Sequence, residues 1–219
     1  MIGGDIVNAN KGYKILAIAA LVLGVVGVTL GYAAFSSTLT IRSSAEVKPD
    51  ATTFNVDFSS SNSAVETDSI TPVLNKTVTG FTATNATIDN TSDPVISNLK
   101  ATFTAPGQTA TYSFYSYNAG KYVAYLNSIV FTGEKTCTAK TGTTQALVDS
   151  ACNGITLSAK VGSESATTTS VASITGHTLG ISAAEEVVVT ISYEDGSALA
   201  DGDFEVSLPD VVLKYESVD

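Results

Sequence analysis

Tryptophan is absent from this chain of 219 residues, methionine and histidine occur once each, cysteine twice and proline five times. A single histidine, His177, and two thiols cannot assemble a four-ligand zinc site, and no His-Glu-x-x-His run is present to hold a catalytic metal on a helix. No Gly-x-Ser-x-Gly elbow or Ser-x-x-Lys motif marks an activated serine. Basic residues are also few: 11 Lys and Arg stand against 21 Asp and Glu, a formal net charge of −10 with a pI near 4.4. An acidic chain is repelled by polyphosphates and by anionic headgroups, which excludes nucleic acid and an anionic membrane surface as the main partner. No catalytic, cofactor-binding or metal-ligating set emerges and no small-molecule substrate is evident, so the expectation is a protein without enzymatic activity.

Charged residues make up only 15% of the chain, and its surface polarity must come from Ser, Thr and Asn. That composition suits short strands and hydroxyl-lined sheet faces.

The longest apolar stretch runs from Ile15 to Phe35 and carries no charge. It is about 21 residues, enough to cross the hydrocarbon core as a helix. Lys11 and Lys14 precede it and small residues close it, the shape of an export signal. Gly31-Tyr32-Ala33 places Gly and Ala at the −3 and −1 positions, which predicts cleavage between Ala33 and Ala34. An uncleaved membrane anchor is the alternative, because the apolar stretch is longer than a common signal core. A buried soluble helix fits poorly with a run that is apolar on every face and interrupted by Gly24, Gly27 and Gly31. The expected organisation is 1–35 as signal peptide or anchor helix and 36–219 as an extracellular β-sandwich, secreted or held at the cell surface.

Beyond Phe35 the apolar period changes to two. Thr38 to Ile41 alternates, and Phe54, Val56 and Phe58 fall on one face. Gly80 to Thr84 and Leu99 to Phe103 read as further strands. Ala105-Pro106-Gly107-Gln108 is a turn, with Gly107 supplying a positive φ. It leads into Thr109–Tyr117, with Ala110, Tyr112 and Phe114 on one face. Asn118-Ala119-Gly120-Lys121 then turns the chain into Tyr122–Phe131, read as the hairpin partner. Ile155–Val161, Val187–Tyr193, Phe204–Leu208 and Val211–Tyr215 complete about nine strands, a sandwich of Ig-like or jelly-roll type. Thr144–Ala151 is the one helix-like stretch, and Ser59–Ser69 is the expected flexible loop.

Candidate sites are few. Cys137 and Cys152 are an even pair in a chain expected to be exported, so a disulfide is possible, with two free thiols as the alternative. Glu194, Asp195, Asp201 and Asp203 could offer oxygens to Ca²⁺, but they lack the EF-hand order, and solvated acidic turns explain them equally well. His177, in Thr175-Gly176-His177-Thr178, reads as a loop or surface residue. Tyr112, Tyr115, Tyr117, Tyr122 and Tyr125 fall on two strands expected to be adjacent. Packing within the sheet, or an exposed strip for glycan or protein, would account for them.

Two stretches resemble the camelysin and TasA-type exported surface and biofilm-fibre proteins of Gram-positive bacteria. GYAAFSSTLTI (31–41) is similar to their export junction, and TAPGQTATYSFYSYNAG (104–120) to a recurring Pro-Gly turn, strand and Asn-x-Gly turn. SLPDVVLKY (207–215) resembles their closing strand. The resemblance implies a jelly-roll-like protein at the cell surface or in the biofilm matrix, self-assembling into fibres by lending an N-terminal strand, here 34–47, to a neighbour. The protease activity attributed to camelysin finds no metal-binding motif in this chain. Rival readings are a membrane-tethered binding module for glycan or protein, and a minor pilin-like subunit. The Phe start and nearby Glu typical of pilins are not placed that way here. Asn75, Asn85 and Asn90 begin glycosylation sequons, which mean little in a bacterium.

Overall fold

The computed structural model describes residues 36–41, 54–91, 94–167 and 172–217, with backbone alone for 36–41 and 172–173. The expected membrane segment and the Ala33–Ala34 cleavage site lie outside these residues. The chain divides after Ser36, and the description below concerns the unit Ser37–Asp219 together with the strand that opens it.

Strict alternation builds the centre. Strand β8 (Gln108–Asn118) buries every second side chain: Gln108, Ala110, Tyr112, Phe114, Ser116 and Asn118. β15 (Ala184–Tyr193) does the same with Val187, Val189, Ile191 and Tyr193, and pairs antiparallel with β8 from Ala184 opposite Tyr117 to Tyr193 opposite Gln108. β11 (Ile155–Val161) continues the sheet on the far side of β15, and β12 (Glu164–Thr167) follows it. The outer side of β8 is shared by β2 (Val56–Ser59) and β3 (Val73–Leu74). Buried Phe54, Val56 and Phe58 share the face the alternation predicts.

The opposing layer consists of two sheets joined end to end. In one, β9 (Ala124–Thr132) and β17 (Asp210–Ser217) are central, with β1 (Ser36–Ile41) beside β17. β13 (Ala172–Ser173) and β14 (Thr178–Leu179) lie beside β9. In the other, β10 (Thr136–Ala139) and β16 (Phe204–Ser207) are followed by β7 (Lys100–Phe103) and β4 (Thr82–Ala83). The chain passes from β9 to β10 and from β16 to β17, and both passages break at one place. Gly133, at φ 141°, lies 3.8 Å from Pro209 when a Cβ is added to it. Proline lacks the N–H that would continue a ladder, and glycine alone accepts that backbone angle readily. A short hairpin, β5 (Thr87–Asp89) with β6 (Val95–Ser97), covers one side.

The layers meet through side chains from both. Phe103 of β7, Tyr193 of β15 and Phe204 of β16 form a ring cluster with centroids 5.4–6.1 Å apart. Tyr112 reaches across from β8: its hydroxyl donates to the Lys100 carbonyl (2.6 Å) and accepts from the Lys100 amide (3.1 Å). Ser116 Oγ meets Tyr215 Oη at 2.8 Å. The result is an all-β sandwich with, among the described residues, one helix, α1 (Gln145–Cys152), against β10.

Two expectations are corrected. β8 and β9 are not a hairpin: β8 pairs with β15, β2 and β3, and β9 pairs with β17, β13 and β14. Asn118 turns the chain from one layer into the other. It is fully buried, and its Nδ2 donates to the carbonyls of Tyr122 (2.8 Å) and Leu179 (3.0 Å) while its Oδ1 accepts from the Gly120 amide (3.0 Å). Those bonds hold an arch where a two-residue hairpin turn would have kept one sheet. The Ser59–Ser69 segment is a built turn, because Ser59 is buried, donates to the Ala64 carbonyl (2.7 Å) and accepts the Ser61 and Glu66 amides (3.0 Å each). Hydroxyl density, which suggests disorder in sequence, here supplies the turn's own partners.

Candidate interaction surface

Sheet edges are the chemically exposed parts of a sandwich, since their backbone groups can pair with another chain. Here three edges are closed in the same way, by a side-chain carboxamide that imitates one rung of a ladder. Asn90 offers Oδ1 to the Phe58 amide (3.3 Å) and Nδ2 to the Phe58 carbonyl (2.7 Å) on β2. Asn75 accepts from the Thr109 amide (2.8 Å) and donates to the Gly107 carbonyl (2.9 Å) at the start of β8. Gln145 accepts from the Ala139 amide (2.9 Å) and donates to the Cys137 carbonyl (3.0 Å) on β10. An amide side chain carries one acceptor and one donor at peptide-like spacing, so it satisfies an edge without extending it. Sequence reading missed this role. Asn75 and Asn90 stood out only as sequons, and Gln145 only as a helix residue.

The helix bearing Gln145 is fixed at both ends. At its start the Thr144 amide and hydroxyl donate to the Asp201 carboxylate (2.8 and 2.6 Å). These bonds hold the Asp201 carboxyl below its ordinary value and place a negative charge at the helix N-terminus. At its end Cys152 is joined to Cys137 of β10, with Cα atoms 6.0 Å apart. Val148 and Ala151 face the core. The disulfide lines an open cleft of about 590 Å³ whose walls include Glu134, Lys135 and Asp149. Burial lowers the Lys135 ammonium, against the raising effect of Glu134, and its Nζ donates to the Ile155 carbonyl (2.7 Å).

The acidic candidates do not converge. Asp201 holds α1, Glu194 accepts from Thr156 Oγ1 (2.5 Å), Asp203 uses its backbone carbonyl for Thr143 Oγ1 (2.9 Å), and Asp195 lies near Gly107. Among the described residues no group of three or more His, Cys, Asp or Glu is placed to hold a metal ion. His177 is mostly enclosed between two glutamates, with Nε2 2.6 Å from Glu185 Oε2 and Nδ1 3.8 Å from Glu164 Oε1. It is therefore not a simple surface histidine: it ties the loop before β14 to β15 and β12.

The five tyrosines separate. Tyr112 is in the core. Tyr115 and Tyr117 lie on the opposite face of β8, with Tyr115 across from Glu186 and Ser59, and Tyr117 across from Ala184 and Asp57. Tyr125 belongs to β9 in the other layer and Tyr122 lies in the bend before it, so the expected two-strand strip does not form. Desolvation raises the Asp57 carboxyl despite a 2.8 Å bond from Asn55 Nδ2.

Together these features define a disulfide-bearing all-β sandwich with guarded edges. Comparison with family models, with curated proteins and with solved structures gave no match to this chain. No helix among the described residues is long and apolar enough to cross a membrane, and the disulfide fits an oxidising compartment.

Proposed function

We propose that this chain is an exported structural protein of the cell surface or biofilm matrix, a jelly-roll-like sandwich that assembles by exchanging its first strand. The observation that carries the reading is the place of β1. It follows the apolar run directly and sits at the edge of its sheet beside β17, with residues 42–55 between it and β2 in sequence. A strand at an edge can leave its own sheet and be replaced by the same strand of a neighbour, which keeps every backbone pair while linking two copies. Carboxamide guards oppose pairing at β2, at the start of β8 and at β10, and the disulfide suits an oxidising exterior.

The test uses mature protein after removal of the apolar segment. It elongates with concentration, by electron microscopy and light scattering, and deletion of 34–47 stops the elongation. A mature protein that stays monomeric over a wide concentration range would defeat the proposal.

A membrane-tethered binding module is the second reading, favoured by Tyr115 and Tyr117 on an outward face beside Glu186 and Asp57. N-terminal sequencing separates the two, since a start at Ala34 removes the tether.

A further inference from the structure

The edge guards differ in how they are held. Asn75 and Asn90 sit in loops, whereas Gln145 is carried by a helix that a covalent bond fixes to the very strand it guards. β10 is the terminal strand of its sheet, and its other side is taken by β16, with Lys140 N donating to Asp203 O at 3.0 Å. Its outward backbone groups are therefore those of Cys137 and Ala139, and Gln145 satisfies one of each, the Cys137 carbonyl and the Ala139 amide. The strand itself, Thr-Cys-Thr-Ala, has no charge and no proline, the features by which exposed edges ordinarily resist pairing. Its protection rests on the helix alone.

We infer that the Cys137–Cys152 bond is a lock on the β10 edge: opening it frees α1 and lets a second copy of this chain pair there, strand against strand. The choice of occupant follows from the sequence around β10. In a two-fold antiparallel register centred on Cys137, Cys137 meets Cys137 and Ala139 meets Lys135 of the second copy, where pairing would extend β10 by one residue. That register also sets Glu134 opposite Lys140 at both ends, so the pair is complementary in charge as well as in backbone. The inference rests on the reading of the chain as a self-associating surface protein, but it uses a different edge from the strand exchange.

The bond is reachable. Both cysteines line the open cleft, so the thiolate of a dithiol reductant can attack one sulfur from solvent. The first attack breaks the Cys137–Cys152 bond and forms a mixed disulfide. The second thiol of the reductant displaces the remaining cysteine. Two electrons pass to the protein, Cys137 and Cys152 leave as thiols, and the reductant becomes a disulfide.

The test uses the full chain in detergent, oxidised or treated with dithiothreitol. Hydrogen exchange read by mass spectrometry is expected to speed up at β10 on reduction by well over the roughly hundredfold that lost loop closure imposes on the whole fold, β8 and β15 included. Light scattering is expected to show redox-dependent association, reproduced without reductant by C137A/C152A and abolished when A139P is added to that pair. Oxidised Q145A, which loses the rung but keeps the lock, is expected to exchange faster at Ala139 without associating. Exchange at β10 that speeds up no more than at β8 and β15, or association that survives A139P, would each overturn the lock. Association through the first strand is indifferent to reductant and to A139P, so failure here is distinguishable from failure of strand exchange.

Discussion

At the scale of the residue, the buried polar side chains explain more of this molecule than the apolar ones. Gln108, Ser116, Asn118 and Ser59 are all fully or nearly fully buried, and none of the described buried side-chain polar atoms lacks a partner. Gln108, Asn118 and Ser59 each span a place where the backbone leaves a ladder, where an unmet backbone group would cost about 1–3 kcal/mol, while Ser116 joins Tyr215 of the opposing layer. Tyr112 shows the same logic between layers, with its hydroxyl joined to Lys100 and to the Thr84 carbonyl (3.0 Å). Burial raises this phenol to about 12 although the Lys100 backbone bond pulls it down, and burial also raises Tyr193 and Tyr215. An unfolded tyrosine titrates near 10, so the stability these groups supply is complete below that value. It falls as pH rises from 10 towards 12, because the unfolded chain releases protons that the folded chain keeps. Tyr112→Phe is expected to cost about 1–2 kcal/mol at pH 8 from the lost bonds and to flatten the alkaline decline. Urea midpoints between pH 8 and 11.5 measure both, and an unchanged alkaline slope would contradict the assignment.

At the scale of the element, long strands and short ones obey different rules. β8 and β15 follow from their own alternation, and their pairing of ten residues needs no outside help. β3, β4, β13 and β14 have two residues each and exist only because a longer neighbour templates them. The helix α1 has eight residues, too short to persist alone. It is held by Asp201, by Val148 and Ala151 against the core, and by the disulfide. Closing a loop with a sequence separation of 15 contributes about 3 kcal/mol in the chain-entropy model. The double variant C137A/C152A should therefore unfold at lower urea concentration by an amount near that figure. A shift under about 1 kcal/mol would mean that the bond constrains the unfolded chain little.

At the scale of the whole molecule, charge opposes the association that open edges invite. A formal net charge of −10 makes copies repel one another, and salt screens that repulsion over about 10 Å at 0.1 M. Any assembly of the mature protein is expected to be slow at low ionic strength and faster in salt or as pH approaches 4.4, with light scattering as the measure. Assembly that weakens as salt is added would point to attraction between charged patches.

The class of the fold, the faces of its long strands and the short helix are legible in the order of amino acids, because alternation and apolar content act locally and need no knowledge of the partner. Ile155–Val161 coincides with β11, and the inward set Ala110, Tyr112 and Phe114 is buried as read. Only the tertiary structure decided which strand meets which. Whether Asn118 makes a hairpin or an arch depends on carbonyls at Tyr122 and Leu179, and the latter is 61 residues away. The edge guards were equally invisible, since Asn90 is separated from Phe58 by 32 residues and Gln145 from Cys137 by eight. A side-chain amide takes its meaning from whichever unpaired backbone the fold brings beside it, and that proximity is not written in local order.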